Sequence, residues 1–430
     1  MSYLIKNASI VNEGRIVVAD VLIKGKRIER IGANIQVSHA VQEIDATGLH
    51  LIPGAIDDQV HFREPGLTHK ADIYTEAKAA VAGGITSFME MPNTMPPSFT
   101  QALLEDKYLI GKAKSLANYS FYMGTSNDNY DDVMRTNEKR KMVCGIKIFM
   151  GSSTGNLLVD NPLVLDKIFG GGELLIATHC EDEKMIKKNL EDLKQHKQAL
   201  EASDHPIIRN ADACFECSFK AIQYAKKHGS RLHILHISTA KELALFTNML
   251  PLTQKKITAE VCVHHLHFTA DDYAILGNKI KCNPAIKSSE NKDALWAALL
   301  DNRLDVIATD HAPHTPEEKS GNYEQAHAGL PLVQHSLLLM MHYVQQGKIT
   351  IERVVEKMSH AVADCFNVKD RGYIREGYYA DIVLLNNNQQ TTISKENILY
   401  KCGWSPLEGV QLPATIDYTF VNGHPVFAKG

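Results

Sequence analysis

The 430-residue sequence has no excess of one charge and no long apolar run. Its 46 Lys and Arg residues are balanced by 50 Asp and Glu residues, for a formal net charge of −4. Because the two signs are mixed along the chain, binding to nucleic acid or to a membrane surface is not predicted. No stretch approaches the roughly 18 apolar residues of a transmembrane helix, and the first residues lack the apolar core of a secretion signal. We therefore expect a cytoplasmic protein.

The sequence also lacks a disulfide or zinc-finger pattern. Its eight cysteines are scattered through apolar segments, which is typical of buried free thiols in a reducing compartment. Cys214 and Cys217 form one C-x-x-C, but no second pair accompanies it and the segment has helical periodicity. A chain of this length exceeds one ordinary core and is long enough for a large barrel with a smaller domain beside it.

Short apolar segments alternate with helical patterns along the central part of the chain. The candidate strands read GAIDDQVHF, GITSFMEMP, NYSFYMG, CGIKIFMG, LLIATHC, RLHILHIS, KITAEVCVHH and LDVIATDHAP. This alternation predicts an α/β protein with a closed parallel (β/α)8 barrel of the TIM type over residues 53–365. An open doubly wound sheet is the alternative, but no G-x-G-x-x-G segment opens a helix after a strand, so a dinucleotide site has no support.

The two ends of the chain have a different pattern, of short strands separated by turn residues. Residues 1–52 include YLIKNASIVN, and residues 366–430 include GYYADIVLLN and a hairpin signal in FVNGHPVF. Neither segment is large enough to bury a sheet alone. We expect the N-terminal and C-terminal segments to form one small β-sandwich beside the barrel.

Polar side chains occur at the carboxyl ends of several predicted strands. In a (β/α)8 barrel these ends lie on one rim, where barrel enzymes place their active sites. Three imidazoles and a carboxylate among them form a donor set that suits Zn²⁺ or a similar ion. The residues are His61, Asn93, Lys147, His179, His236 and Asp310.

Three rim positions leave alternatives open. In IDDQVHFREPG, strand alternation puts Gln59 and His61 on one face, where two imidazoles would chelate a metal, but the first position is an amide. Lys147 lies between apolar residues, so burial would favour a neutral amine. Such an amine can add carbon dioxide to give a metal-bridging carbamate; alternatively, the lysine reaches the rim or pairs with a carboxylate. Arg63 could bind a carboxylate ligand or form a surface ion pair.

The motifs VHFREPG, GGITSFMEMPNTMPP, ATHCED, LHILHIS, KCNPAIKS and IATDHAPH together resemble those of the dihydroorotase family, in the amidohydrolase superfamily. The resemblance extends through nearly the whole chain. It implies reversible cyclisation of N-carbamoyl-L-aspartate to (S)-dihydroorotate in pyrimidine biosynthesis. It also implies a catalytic acid–base role for Asp310 and carbamylation of Lys147. The metal ligands that it implies are His61, Lys147, His179, His236 and Asp310.

The resemblance further implies a substrate-binding set and one departure from the family. The implied residues are Arg63, Asn93 and His314 at the substrate carboxylate, with Asn283, Ala328 and Gly329 around the ring. The family motif His-x-His is altered, because Gln59 occupies its first position. An amide oxygen is a weaker donor to zinc than imidazole. We therefore expect one tightly bound Zn²⁺, a second ion that is weak or absent, and Gln59 as a weak ligand or none.

Two other functions stay open at this point. The altered first motif suits a non-catalytic dihydroorotase-like scaffold that contacts aspartate transcarbamoylase. Related cyclic amidases, such as dihydropyrimidinase and hydantoinase, share the metal residues but lack VHFREPG in combination with MPNT. The family resemblance implies a small-molecule substrate and a homodimer.

Overall fold

The computed structural model describes residues 2–38, 40–139, 141–151 and 155–429. The strands are β1 (Ser2–Asn12), β2 (Arg15–Lys24), β3 (Arg27–Gly32), β4 (Gln42–Asp45), β5 (His50–Pro53), β6 (Ala55–Val60), β7 (Ile85–Glu90), β8 (Asn118–Phe121), β9 (Met123–Gly124), β10 (Ile146–Phe149), β11 (Ile176–His179), β12 (Leu232–Ile234), β13 (Ile257–Cys262), β14 (Val306–Ala308), β15 (Ile382–Asn386), β16 (Thr391–Thr392), β17 (Gln411–Leu412), β18 (Thr415–Val421) and β19 (His424–Ala428).

The α-helices are α1 (Ile73–Ala82), α2 (Gln101–Lys114), α3 (Tyr130–Arg135), α4 (Pro162–Gly171), α5 (Glu183–His196), α6 (His205–Ile208), α7 (Ala211–His228), α8 (Val263–His267), α9 (Tyr273–Leu276), α10 (Ser289–Leu300), α11 (Pro316–Lys319), α12 (Ser336–Gln345), α13 (Ile351–Val355) and α14 (Ala361–Cys365). Short 3₁₀ turns cover Thr136–Lys139, Gly155–Leu157, Ala202–Asp204, Lys241–Leu245, Leu252–Gln254, Ala270–Asp272 and Gly277–Ile280, and a π-helical turn covers Glu356–His360. Within the described residues, every helix is too short or too polar to cross a membrane.

Strands β6 to β14 form the predicted parallel barrel. Strands β6, β7 and β8 pair in parallel, as do the strands from β9 to β14 in order. Only Tyr122 separates β8 from β9, and its N–H still donates to the carbonyl of Glu90 on β7, so the two segments act as one barrel strand. The barrel closes where the N–H of His61 donates to the carbonyl of His311, 2.7 Å away. The predicted eight-strand closure is therefore confirmed.

Local sequence explains why the helices begin and end where they do. Helix α1 begins with a capping box in which the side chains of Asp72 and Thr75 each accept from the other's backbone N–H. Helix α7 begins at Asn210, whose side chain accepts from a backbone N–H, and ends at Gly229 in the left-handed conformation. Its buried face includes Cys217, one of seven buried free cysteines, so this cysteine contributes to packing.

The two ends of the chain meet in one sheet, as predicted. Its strand order is β19-β18-β15-β5-β1-β2-β3, with β4 beside β1. One face buries residues from both ends of the chain, such as Ile5, Val21 and Leu384, in a core separate from that of the barrel. The division of the chain at residues 52 and 366 stays a prediction.

Packed side chains fill the barrel interior at the amino-terminal ends of the strands, and the barrel is open at their carboxyl ends. Interior side chains such as Ile56, Tyr122 and Leu235 pack against Cys365 and Phe366 at the end of helix α14. The opposite rim carries the polar residues that follow the strands. A ligand therefore has access to the barrel from that rim.

Candidate active site

A cavity of about 190 Å³ lies at the carboxyl ends of the barrel strands. All twelve residues predicted from the sequence line it, together with Phe149 and Ala312. The twelve are Gln59, His61, Arg63, Asn93, Lys147, His179, His236, Asn283, Asp310, His314, Ala328 and Gly329. The structure thus brings the whole predicted set to one place, and the individual roles of its members stay predictions.

Asp310 is the centre of the first group of contacts in the cavity. One of its carboxylate oxygens, Oδ1, lies 3.0 Å from His61 Nε2 and accepts a hydrogen bond from Gln59 Nε2 at 3.0 Å. The other ring nitrogen of His61 lies 2.7 Å from Asn93 Oδ1. Gln59 therefore presents its amide N–H to the carboxylate, while its oxygen lies 4.0 Å from the thiol of Cys262.

His179 and His236 form a second group on the neighbouring strands. His179 Nδ1 lies 3.0 Å from His236 Nε2, and His179 Nε2 lies 2.9 Å from the carboxylate of Glu181. Burial alone would raise the pKa of Glu181, but the guanidinium of Arg209, 2.6 Å away, and His179 hold it well below its usual range. Glu181 is therefore an ionised partner that fixes the orientation of the His179 ring.

Lys147 lies between the two groups, on β10. The residue is 1% exposed, its Nζ lies 4.5 Å from the centre of the Phe149 ring, and this Nζ forms no hydrogen bond with any described residue. Burial lowers the pKa of Lys147 to about 7, although Asp310 and Glu260 act in the opposite direction. A large fraction of this amine is consequently neutral near pH 7, which is the form that can react with carbon dioxide.

The donor set of the cavity fits a divalent cation. Burial lowers the pKa values of His61 and His179, and that of His236 falls well below its usual range, so the three imidazoles are neutral. His236 Nδ1 is also buried with no hydrogen-bond partner among the described residues. Neutral imidazoles, a carboxylate and an amine that face one cavity are typical ligands of Zn²⁺ and related ions.

A cationic corner lies beside these groups. Arg63 donates through Nε to the carbonyl of Pro313 and through Nη2 to His314 Nε2, both at 3.1 Å. His314 Nδ1 in turn lies 3.1 Å from Lys70 Nζ and 3.3 Å from Glu318. Burial lowers the pKa of Arg63 to about 10, so the guanidinium remains charged at neutral pH.

The remaining predicted residues, Asn283, Ala328 and Gly329, complete the lining of the cavity. Asn283 Oδ1 lies 3.0 Å from His205 Nε2, which orients the amide, and the carbonyl of Ala328 lies 3.1 Å from His314 Nε2. The N–H of Gly329 donates to Lys281, so it is not available to a ligand. Gly329 has φ 139°, and a Cβ there would lie 2.5 Å from the carbonyl of Ala312, so glycine is required at this wall.

Three residues that line the cavity have a strained backbone conformation. Arg63, His236 and Asp310 have φ values of 69°, 41° and 47°, in the left-handed region that residues with a Cβ seldom adopt. Each such residue costs roughly 1–3 kcal/mol and persists only where the surrounding structure holds it. Six of the seven other described non-glycine residues with positive φ are Asn or Asp, which tolerate this region, so the strain at Arg63 and His236 supports a functional site at this rim.

Sequence reasoning missed several residues that support the site. Glu181 lies two positions after His179 in ATHCED, so its spacing was a usable signal. Lys70 contacts His314 from a distant part of the chain, and no local pattern predicts that contact, whereas Glu318 lies only four residues after His314. His264, in the HHLH segment, belongs to helix α8 and does not line the cavity.

Comparisons with known proteins agree with this geometry. A model of the amidohydrolase family matches residues 172–426. A dihydroorotase from Lactobacillus acidophilus is 31% identical over 432 residues, covering 100% of both chains. An allantoinase from Salmonella choleraesuis is 29% identical and covers 99% of this chain and 94% of that protein.

Among solved structures, an L-hydantoinase (dihydropyrimidinase) from Arthrobacter aurescens matches with a TM-score of 0.94 over 100% of this chain and 96% of that chain. At 24% identity this likeness shows the fold alone. Taken with the family match, the chain belongs to the amidohydrolase family. It is a hydrolase of the cyclic-amidase type in a superfamily that generally binds divalent metal ions.

Proposed function

We propose that this cyclic amidase is a dihydroorotase, which interconverts N-carbamoyl-L-aspartate and (S)-dihydroorotate. The observation that supports this most directly is the guanidinium of Arg63. It is 7% exposed, it lines the cavity, and no described carboxylate forms an ion pair with it. A buried cation without a counter-ion favours an anionic ligand, and a guanidinium matches a carboxylate.

The same observation separates the proposal from the activities of other relatives. Dihydroorotate carries a carboxylate on its ring carbon, whereas allantoin, hydantoin and dihydrouracil have no ring carboxylate. With any of these neutral rings, the guanidinium of Arg63 would remain buried without a contacting carboxylate among the described residues, which is costly. Relatives named dihydroorotase and allantoinase match the chain at 31% and 29% identity, so the choice between these activities depends on Arg63.

The residues of the cavity divide the reaction between binding and proton transfer. Arg63 binds the substrate carboxylate and holds the ring in a fixed orientation, which lowers the entropic part of the barrier. Asn93 and Asn283, each oriented through its own oxygen by a histidine, position the ring between them. Asp310 accepts a proton from the attacking water and delivers it to the ring nitrogen as the amide bond breaks. In cyclisation these transfers run in reverse.

We also propose the identity and arrangement of the metal ligands. Lys147, as its carbamate, would hold one tightly bound Zn²⁺ with His179 and His236, and His61 with Asp310 would hold a weaker second ion. An ion bound there supplies Lewis acidity to the amide carbonyl. The amine of Lys147 is buried and has no hydrogen-bond partner among the described residues, which supports the carbamate. The amide of Gln59 directs its N–H to Asp310, which supports the weaker second position. On family resemblance we further propose a homodimer, which sedimentation velocity tests.

A substrate panel tests the proposed function. The zinc-loaded protein is assayed with dihydroorotate, carbamoyl aspartate, allantoin, hydantoin and dihydrouracil. We expect kcat/KM for dihydroorotate to exceed that of each neutral ring by roughly 10²-fold or more, because only dihydroorotate pairs with Arg63. A preference for a neutral ring would reject dihydroorotase in favour of that activity. No turnover of any compound, together with stable binding to aspartate transcarbamoylase, would favour the scaffold.

A further inference from the structure

The barrel interior contains a second cluster of metal-type side chains below the cavity. It consists of Asp58 on β6, His233 on β12 and Glu260 on β13, and all three side chains are 0% exposed. His233 Nε2 lies 3.2 Å from Asp58 Oδ2 and 3.5 Å from Glu260 Oε2. We call these three residues the core triad. None of them lines the cavity.

The core triad has polar atoms that no hydrogen bond satisfies. Within the described residues, both oxygens of Asp58, Glu260 Oε2 and His233 Nε2 are buried without a hydrogen-bond partner. The short separations are therefore not well-directed hydrogen bonds. Buried carboxylate oxygens without donors are costly, and burial together with the charge of Asp58 raises the pKa of Glu260. The three side chains therefore require a positive charge, either as a proton on His233 or as a cation held between them; burial lowers the pKa of His233, but Cys365 and the two carboxylates hold it well above its usual value.

The hydrogen bonds around His233 direct its free nitrogen to the carboxylates. His233 Nδ1 lies 2.8 Å from Thr258 Oγ1, and the Thr258 hydroxyl donates to the carbonyl of Leu232 at 3.3 Å. The hydroxyl oxygen therefore accepts from the Nδ1–H of His233. Histidines that bind metals are commonly held in this way, with one ring nitrogen donating to the protein and the other facing the ion.

We propose that the core triad binds a structural divalent cation, and that Zn²⁺ fits it best. Zinc binds imidazole nitrogen and carboxylate oxygen at roughly 2.0–2.2 Å, so two such donors on a tetrahedral ion lie about 3.3–3.5 Å apart. The separations of 3.2 and 3.5 Å are within about 0.1 Å of this range. Around such an ion the lone pair of each ligand atom points at the metal and not at the neighbouring ligand atom. Two ligand atoms can therefore lie close together without a hydrogen bond between them. The second oxygen of Asp58 is available as a fourth donor.

The core triad also connects to the cavity through Glu260. The other oxygen of Glu260 accepts the backbone N–H of His236 at 2.8 Å, where the backbone has φ 41°. An ion that holds Glu260 in place thereby holds the strained backbone of a cavity histidine. The ion in the core triad would therefore stabilise the rim of the cavity, and it would also neutralise the buried carboxylates.

Metal content of the full-length protein tests the proposal without reference to activity. Zinc per chain is measured by mass spectrometry in the unaltered protein and in Asp58→Asn and His233→Gln, with His228→Gln on the outer helix α7 as the matched control. We expect each core variant to lose about one zinc per chain, and the control none. Unchanged stoichiometry in both core variants would overturn the proposal and show that the side chains share only protons.

A second measurement avoids substitutions, because a core variant could fail to fold. Crystals of the unaltered, zinc-loaded protein are measured at the zinc absorption edge. An anomalous peak bounded by Asp58, His233 and Glu260 would support the core site, and peaks confined to the cavity would overturn it. Neither measurement depends on which cyclic amide the cavity hydrolyses, so this proposal and the proposed function can fail separately.

Discussion

Replacing Arg63 by methionine removes the one charge to which we assign substrate recognition. Methionine keeps the length of the side chain but leaves the substrate carboxylate without its partner in a buried site. Truncating one partner of a buried, hydrogen-bonded charge pair costs about 2–5 kcal/mol. Since each 1.36 kcal/mol is a factor of ten, kcat/KM for dihydroorotate should fall roughly 30- to 5000-fold.

The assay follows dihydroorotate hydrolysis and the reverse cyclisation, with melting temperature as a check of folding. The matched control is Arg135→Met on helix α3, where the arginine is 65% exposed, so its kcat/KM should equal that of the unaltered protein. Residual hydrolysis of dihydrouracil should be unaffected by Arg63→Met, because this ring has no carboxylate. A loss of dihydroorotate activity below about threefold, in a folded variant, would refute the assignment of Arg63.

Two further substitutions test the metal set and the cavity wall. Lys147→Ala should lose the tightly bound cavity ion and with it about 10²-fold or more in activity. Short carboxylic acids should restore part of the metal content and part of the activity. Metal content and rate unchanged from the unaltered protein would contradict the carbamate. Gly329→Ala should lower stability by roughly 1–3 kcal/mol, because its Cβ would lie 2.5 Å from the carbonyl of Ala312. The control is Gly347→Ala, because Gly347 also has a positive φ, of 71°, but no atom lies within 4 Å of a Cβ built there. Thermal unfolding of both variants separates the steric clash from backbone strain. Equal losses of stability in the two variants would show that only backbone strain matters.

The barrel and its rim could be predicted because both depend on local patterns. Short apolar strands alternating with helical periods determine the closed parallel sheet, and polar residues at strand ends then share one rim whatever the loops do. His61 and Asp310 illustrate this, since each follows an apolar strand and the two side chains meet at 3.0 Å. That contact follows from barrel closure between the first and last strands.

Contacts that depend on packing between distant segments could not be predicted. The cationic corner is one example, because the approach of Lys70 to His314 depends on how two loops fold over the rim. His233 is another. It lies in the barrel interior below the cavity, and the carboxylates that face it come from β6 and β13. The alternation of side chains along a strand predicts which face a side chain lies on, but it does not predict which residues of other strands contact it inside a barrel.

The amide at position 59 provides the sharpest test of how the cavity holds metal. Gln59 Nε2 donates to Asp310 Oδ1, the same oxygen that lies 3.0 Å from His61 Nε2. The amide of Gln59 thus directs an N–H hydrogen, and not a lone pair, to the side of the cavity where His61 and Asp310 would hold an ion. An imidazole would present a nitrogen donor there, and imidazole is also the better ligand for zinc.

Gln59→His should therefore raise the metal content by about one ion per chain and leave the ion near Lys147, His179 and His236 unchanged. The matched control is Gln59→Leu, which removes the hydrogen bond to Asp310 without adding a ligand and should leave the content as it is. Calorimetric titration of the chelator-treated protein with metal distinguishes the tightly bound ion from the weakly bound one. If the unaltered protein already binds two cavity ions with equal affinity, another donor compensates for the amide, and the expected asymmetry is wrong. If Gln59→His adds no ion, the weakness of the second position has a cause other than the missing imidazole.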